Sequence, residues 1–561
     1  MLMNSIKFFR AAFLWTLVTI LSHSLVRAQS DLLSTLKEVS AQLKTVKTSG
    51  NEWKQSLRAN GLRPYQVFYE ITGTDKKGQT VTRLYEFNLA DIDPASIKYE
   101  AKKDEMLVKM KAIKGHGFIK EKEGEQQVKY VSEITLYADQ IDNAKALTAA
   151  LQKSVPLAQK AMESKLKIVS KYSFLTDWLK ANVISLNAAG ESYKQGITYA
   201  EGFKNLRVKL ILQPGDKGKV EEEIFDFNLA DMDERNVEMG VSGKWIYLEL
   251  ATRSKQGYIK YVKNGKVQSN EKSVRFYFDD VERAREGKLI LQKLLPLAGP
   301  VSDELKPVYS SLADGLKKIK TAVKNTPEIG QSIVAECQAI LSVNENGKVS
   351  EYRFAWGDIN ESSPKIKVSG KVFEMSVETR DKQKFIEVWK NGEKQSYTSS
   401  FDIISDDIES IRYLPEIVKR VITDCRASVK PVSPKPGMET QFINERLTNS
   451  RIVVKAGAQV LEKAGKCQLV FKRTITDGKN AGPLRYELSL TEMDASSVEM
   501  VIAGSSVFVN ISTRNKEKTI KSFKGDTPSD YVNMVKIECE NIVSGRQIAD
   551  TLKKIVSDCK K

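Results

Sequence analysis

The chain has 561 residues, 88 Lys and Arg against 71 Asp and Glu, a formal charge of +17, five Cys and two His. A hydrophobic content of 41% beside 28% charged residues is ordinary globular composition. It excludes a disordered tail, a collagen-like fibre and a disulfide-dense miniprotein, and the length suits roughly three to four domain-sized units.

Residues 1–28 read as an export signal. Lys7 and Arg10 form a basic start, AAFLWTLVTIL over 11–21 is an apolar core too short to span a bilayer comfortably, and VRA at 26–28 offers a cleavage site after Ala28. An uncleaved membrane anchor is the competing reading. Removing Lys7, Arg10 and Arg27 leaves a mature charge of +14. No later stretch approaches 18 apolar residues, so no integral membrane segment is expected in the mature chain.

One phrase then recurs along the chain. It reads YEFNLADID at 85–93, FDFNLADMD at 225–233, YRFAWGDIN at 352–360 and YELSLTEMD at 486–494. The marker acids Asp91, Asp231, Asp358 and Glu492 are 140, 127 and 134 residues apart. Phe118, Tyr258, Phe385 and Thr519 each follow their marker by 27 residues, and each precedes an isoleucine. A spacing held four times implies internal repetition. The expected organisation is a signal peptide over 1–28, repeats over 29–165, 166–305, 306–428 and 438–561, and a Pro-rich extended linker over 429–437.

Within each repeat the apolar residues alternate, as in VFEMSVET at 372–379, which signals half-buried strands. Asn264-Gly265, Asn346-Gly347, Asn391-Gly392 and Asp477-Gly478 are hairpin dipeptides. Phe87, Phe227, Phe354 and Leu488 share a pleat face with Leu89, Leu229, Trp356 and Leu490 and are expected inside. A helix closes each unit: Leu414, Val418, Val421, Ile422 and Cys425 form one apolar stripe, and Ile548, Leu552, Ile555, Val556 and Cys559 form another at the same spacing. VPLA at 155–158 and LPLA at 295–298 hold that register in the first two units. Further helices, such as Leu36 to Val46 and Leu316 to Val323, precede the strands. The fold class is therefore α+β: four tandem repeats, each an antiparallel six- to seven-stranded bent sheet or barrel with a helix before it and a helix closing it.

Antiparallel strands closed by one C-terminal amphipathic helix, with YEFNLADID followed by SIKY at 96–99, resemble the pleckstrin-homology-like barrel, here as tandem repeats of a secreted bacterial protein. NVEM at 236–239 and SVEM at 497–500 are the counterparts of SIKY. The resemblance implies a strongly bent sheet plugged by the helix. Members of this superfold bind phosphoinositides or serve as protein-interaction scaffolds, and the fold by itself does not fix the function. The first hairpins carry lysines, as in DKKG at 75–78, but lack the Lys-x-Arg lipid clamp.

The chemistry is sparse. Outside the leader His116 is the sole histidine, set in KGHG at 114–117, and it reads as a solvated turn. That leaves no Ser-His-Asp machinery, zinc cluster or phosphate loop, and no cofactor or metal is expected. Asp91/Asp93 and Asp231/Asp233 invite an acid–base or metal reading, but Asp at a strand end favours a turn. TRSK at 252–255, TRDK at 379–382 and TRNK at 513–516 present Arg253, Lys255, Arg380, Lys382, Arg514 and Lys516 at one strand connection, where the first repeat has Ile113 and Gly115. These six are candidate anion-binding residues, or else lysines that block edge pairing. Three readings follow: a non-catalytic scaffold for an unknown protein, a binder of an anionic envelope or extracellular polymer or lipid, and, least favoured, a carboxylate-based hydrolase.

Cys337 and Cys467 are taken to start the first strand of their repeats, and Cys425 and Cys559 end the closing helices 134 residues apart. In an oxidising periplasmic or extracellular setting, two bridges are expected, Cys337–Cys425 and Cys467–Cys559, with Cys539 a buried thiol. The competing arrangement pairs Cys539 with Cys467 or Cys559.

Overall fold

The computed structural model describes residues 30–124, 127–165, 170–188, 191–216, 219–429, 432–448, 456–475 and 482–560. The leader and the Asp477-Gly478 hairpin lie outside the described residues. The chain divides into two compact units, Met1–Lys306 and Pro307–Lys561.

Antiparallel sheets dominate both units. In the first, a large sheet runs in the order Val46–Lys47, Asn51–Ala59, Gln66–Asp75, Thr80–Asn88, Ile119–Glu123, Gln127–Val131. The chain leaves this sheet after Asn88 to build a three-stranded sheet from Lys98–Lys102, Glu105–Lys111 and Glu133–Ala138, and returns in between. Thr80–Asn88 thus pairs with Ile119–Glu123 across the excursion, Tyr85 opposite Glu121. The helix Ile141–Lys165 follows. The same large-sheet, three-stranded-sheet and helix order recurs with helices Val281–Asp303, Leu414–Ser428 and Ile542–Asp558. Among the described residues each of these sheet pairs contains eight to ten strands in two separate hydrogen-bonded sheets, where one bent sheet of six or seven was expected.

Alternation sets the faces. In Trp245–Thr252, Ile246, Leu248 and Leu250 are buried, and Leu248 sits opposite Phe276 on the neighbouring strand. Phe87, Phe227, Phe354 and Leu488 are all buried, as are Leu89, Leu229, Trp356 and Leu490. The closing helices lay their stripes on this core: Leu414, Val418, Val421, Ile422 and Cys425 are buried, as are Val155, Ala158, Leu295 and Ala298. Asp280 and Asn541 cap two of these helices, accepting from the amides of Glu282 at 3.0 Å and Ser544 at 2.9 Å.

Two local expectations are corrected. The first helix covers 30–42 rather than Leu36 to Val46, because Val46 opens a strand against Trp53. Cys337 and Cys467 precede the second strand of their sheets, since Ile329–Val334 and Ala456–Gly465 come before them. The structure brings Cys337 to Cys425 and Cys467 to Cys559 at disulfide distance, with Cα separations of 5.4 and 5.7 Å. Cys539 is a buried free thiol, pushed up to about 12 by burial and by the neighbouring Glu538.

Candidate functional site

The recurrent phrase builds a short turn with two acids in different roles. Asn88 accepts from the Ala90 amide at 2.8 Å and Asn228 from Ala230 at 2.9 Å, each starting a single 3-10 turn that ends on the marker acid. The second acid is a local cap. Asp93, Asp233 and Asp494 accept from the amides of Ala95, Arg235 and Ser496 at 2.9, 3.0 and 2.9 Å, and Asn360 accepts from Ser362 at 3.0 Å. A side-chain oxygen bonding two residues ahead is what Asx turns select for.

The first acid does something else in two places. Asp91 pairs with Arg285, a residue of the next closing helix, and only 15% and 16% of the two side chains are exposed. Arg285 also lies 3.6 Å from Glu282, whose carboxylate accepts from Asn88 Nδ2 at 2.9 Å. Burial lifts both Asp91 and Glu282 above the ordinary carboxylate range, opposed by Arg285. In the second unit Asp358 accepts from Arg546 Nη1 at 2.9 Å. Arg546 and Arg285 are each the fifth residue after their helix caps, Asn541 and Asp280. The two pairs are therefore the same seam, made twice. Glu492 is exposed.

Aromatic residues reinforce each seam. Phe118 and Tyr130 pack into the core of the following sheet pair, beside residues such as Leu206 and Phe276. Lys120 Nζ donates to the Asp279 carbonyl at 3.1 Å. Phe385 and Tyr397, each 267 residues further on, pack into the core around Ile443 and Phe471. The Arg546 guanidinium lies 4.6 Å from the Phe385 ring centroid, a cation–π arrangement.

The seams differ in filling. Asn88 and Glu282 close the first, leaving a crevice of about 20 Å³. Ala355 and Val543 stand at those positions in the second, and a groove of about 630 Å³ opens there. Arg426 flanks it and donates to the carbonyls of Gly357 at 3.3 Å and Ile359 at 3.1 Å.

The basic turns are built alike. Thr252, Thr379 and Thr513 are buried, and each hydroxyl donates to the carbonyl four residues on, of Gln256, Gln383 and Glu517. Between these anchors the chain passes through positive φ: 54° and 53° at Ser254 and Lys255, 51° and 54° at Asp381 and Lys382, and 52° and 58° at Asn515 and Lys516. A lysine held in the left-handed region is uncommon; Gly115, at φ 69°, takes that position in the first turn. Arg253, Lys255, Arg380, Lys382, Arg514 and Lys516 are all exposed. His116 is exposed and stacks on Phe118, ring centroids 5.0 Å apart.

Sequence reasoning found the acids and the basic turns but not Arg285 and Arg546. Their signal was available: they are 261 residues apart, as are Asp231 and Glu492, and so hold one repeat position. Among the described residues no group of three His, Cys, Asp or Glu is placed to hold a metal ion, and no helix is long and apolar enough to cross a membrane. The chain matches no family model, no curated protein and no solved structure.

Proposed function

We propose that this chain is an exported, non-catalytic binding scaffold of four related modules of the pleckstrin-homology-like kind, joined in two pairs. The observation that carries this reading is the repeated seam. Asp91 and Asp358, the marker acids of the first and third phrases, each neutralise a helix arginine of the neighbouring sheet pair. A largely buried carboxylate fixed in an ion pair holds modules together and is poorly placed to shuttle protons. Two cysteine pairs at disulfide distance fit an oxidising compartment, periplasmic or extracellular. Turnover assays with chromogenic glycosides, esters and phosphoesters test the reading. The expected result is no turnover; turnover abolished by Asp91→Asn or Asp358→Asn in a folded protein would overturn it.

The partner reading favoured by the turns is an anionic polymer of the envelope or extracellular space. Three copies of one anchored turn hold an Arg and a Lys in solvent, on a chain with a mature charge of +14. Repetition adds avidity to individually weak sites. Retention on heparin and lipopolysaccharide resins at low salt is expected, falling steeply as salt rises. The triple change Arg253→Glu, Arg380→Glu, Arg514→Glu should abolish retention while shifting stability by only about 0.5 kcal/mol or less. Retention unchanged in the triple variant would leave the turns as edge-blocking features alone.

A further inference from the structure

The groove at the second seam has the features of a ligand site that the first seam lacks. Its volume of about 630 Å³ falls in the range that holds a small organic molecule. Ala355, Phe385, Val429, Val432 and Val543 line it with apolar surface. Val429, Val432 and Val543 are 63%, 55% and 43% exposed, so this surface faces solvent rather than packed protein. Arg380, Arg426, Arg546 and Lys554 also line it, against Asp358 and Asp550 as the acids. Since Asp358 is already matched by Arg546, the remaining lining is two arginines and a lysine against one carboxylate. An apolar floor under a surplus of cations suits a molecule with an anionic head and an apolar body. A cationic or purely polar ligand would leave that floor wet or the charges uncompensated.

The first seam shows what absence of a site looks like in the same architecture. There Asn88 and Glu282 bond to each other at 2.9 Å across the space that Ala355 and Val543 leave open. Shortening both side chains keeps the Asp–Arg pair and empties the space above it.

We propose that the groove between the third and fourth sheet pairs binds a single amphipathic carboxylate, one anionic head on an aliphatic or aromatic body, at a site that shares only Arg380 with the polymer-binding turns. Arg426 and Lys554 hold the head, and Phe385, Val429 and Val543 take the body.

The test uses the mature chain with both cysteine pairs oxidised. Anilinonaphthalene sulfonate, a fluorescent aromatic anion, is titrated in, then displaced with decanoate and, separately, with decylammonium, which has the same tail and the opposite charge. One saturable site is expected, displaced by decanoate and at least tenfold less well by decylammonium. Ala355→Asn with Val543→Glu, which rebuilds the first seam, should weaken binding at least tenfold. Lys554→Glu, at an exposed helix position that leaves the fold intact, should weaken it several-fold on its own. Arg253→Glu with Arg514→Glu should leave it unchanged, which separates this site from the two turns that do not line it. Equal displacement by both competitors, or unchanged affinity in the Lys554→Glu variant, would overturn the proposal.

Discussion

The seam in Met1–Lys306 and the seam in Pro307–Lys561 solve one packing problem with different side chains. Both set a phrase aspartate against an arginine five residues into a capped helix, and both send a Phe and a Tyr into the neighbouring core. The first fills the remaining space with a buried amide–carboxylate network. The second leaves that space open, and the sheet pairs beside it carry both cysteine pairs. Buried polar networks fix geometry but are costly when one member is lost. A disulfide acts chiefly by limiting the unfolded chain and asks little of the seam itself. The difference teaches that a seam relieved of its buried network can be hollowed into a pocket while the flanking sheet pairs are held by other means.

Reduction should divide the two units most sharply. The bridges Cys337–Cys425 and Cys467–Cys559 span 88 and 92 residues, and the chain-entropy model assigns each roughly 4–5 kcal/mol. No cysteine lies in residues 1–306. Hydrogen exchange with and without reductant should therefore show protection falling in Pro307–Lys561 and holding in Met1–Lys306. Equal loss in both units would break the contrast.

Arginine removal comes next. Arg285→Ala strands Asp91 and the 6%-exposed Glu282 without their cation and should cost about 3–5 kcal/mol. Arg546 is 36% exposed and faces one carboxylate, so Arg546→Ala should cost about 1–3 kcal/mol. Denaturant midpoints of the two variants check the order; the reverse order would contradict the network account.

The smallest effect is in pH. Because burial lifts Asp91 and Glu282 in the folded chain, folding favours their protonated forms. The stability they contribute is fully present below the ordinary carboxylate range and is lost as pH rises through the lifted values. Glu282→Gln removes one of these groups and retains an acceptor for Asn88, so stability should decline less than in the parent as pH rises above the ordinary carboxylate range. An unchanged slope would show that Glu282 is not coupled to folding.

Much of this was legible in the sequence, for reasons that are local. Alternation placed Phe87, Phe227 and Phe354 inside, because a pleat has period two. The helix stripe through Val418 and Ile422 followed from the 3.6-residue period, and the equal offset of Cys425 and Cys559 pointed to Cys337 and Cys467, which the fold brings to disulfide distance. What stayed hidden depends on distant pairing. Nothing in Thr80–Asn88 says that its sheet neighbour is Ile119–Glu123 rather than the next strand along the chain. Ile329–Val334, ahead of Cys337, buries little beyond Gln331 and Ile333 and reads as a loop. Arg285 sits among Arg283, Glu286 and Lys288, where a sequence shows only a solvated helix face; the carboxylate that buries it lies 194 residues earlier.

Whether one aspartate–arginine seam is used twice can be measured by a pair of double-mutant cycles. Asp91→Ala, Arg285→Ala and their combination form one cycle, and Asp358→Ala, Arg546→Ala and their combination form the other, each read as unfolding free energy by denaturant titration. Favourable coupling is expected in both cycles, larger in the first, within the range of about 0.5–3 kcal/mol typical of contacting residues. Additive losses in either cycle would contradict the account.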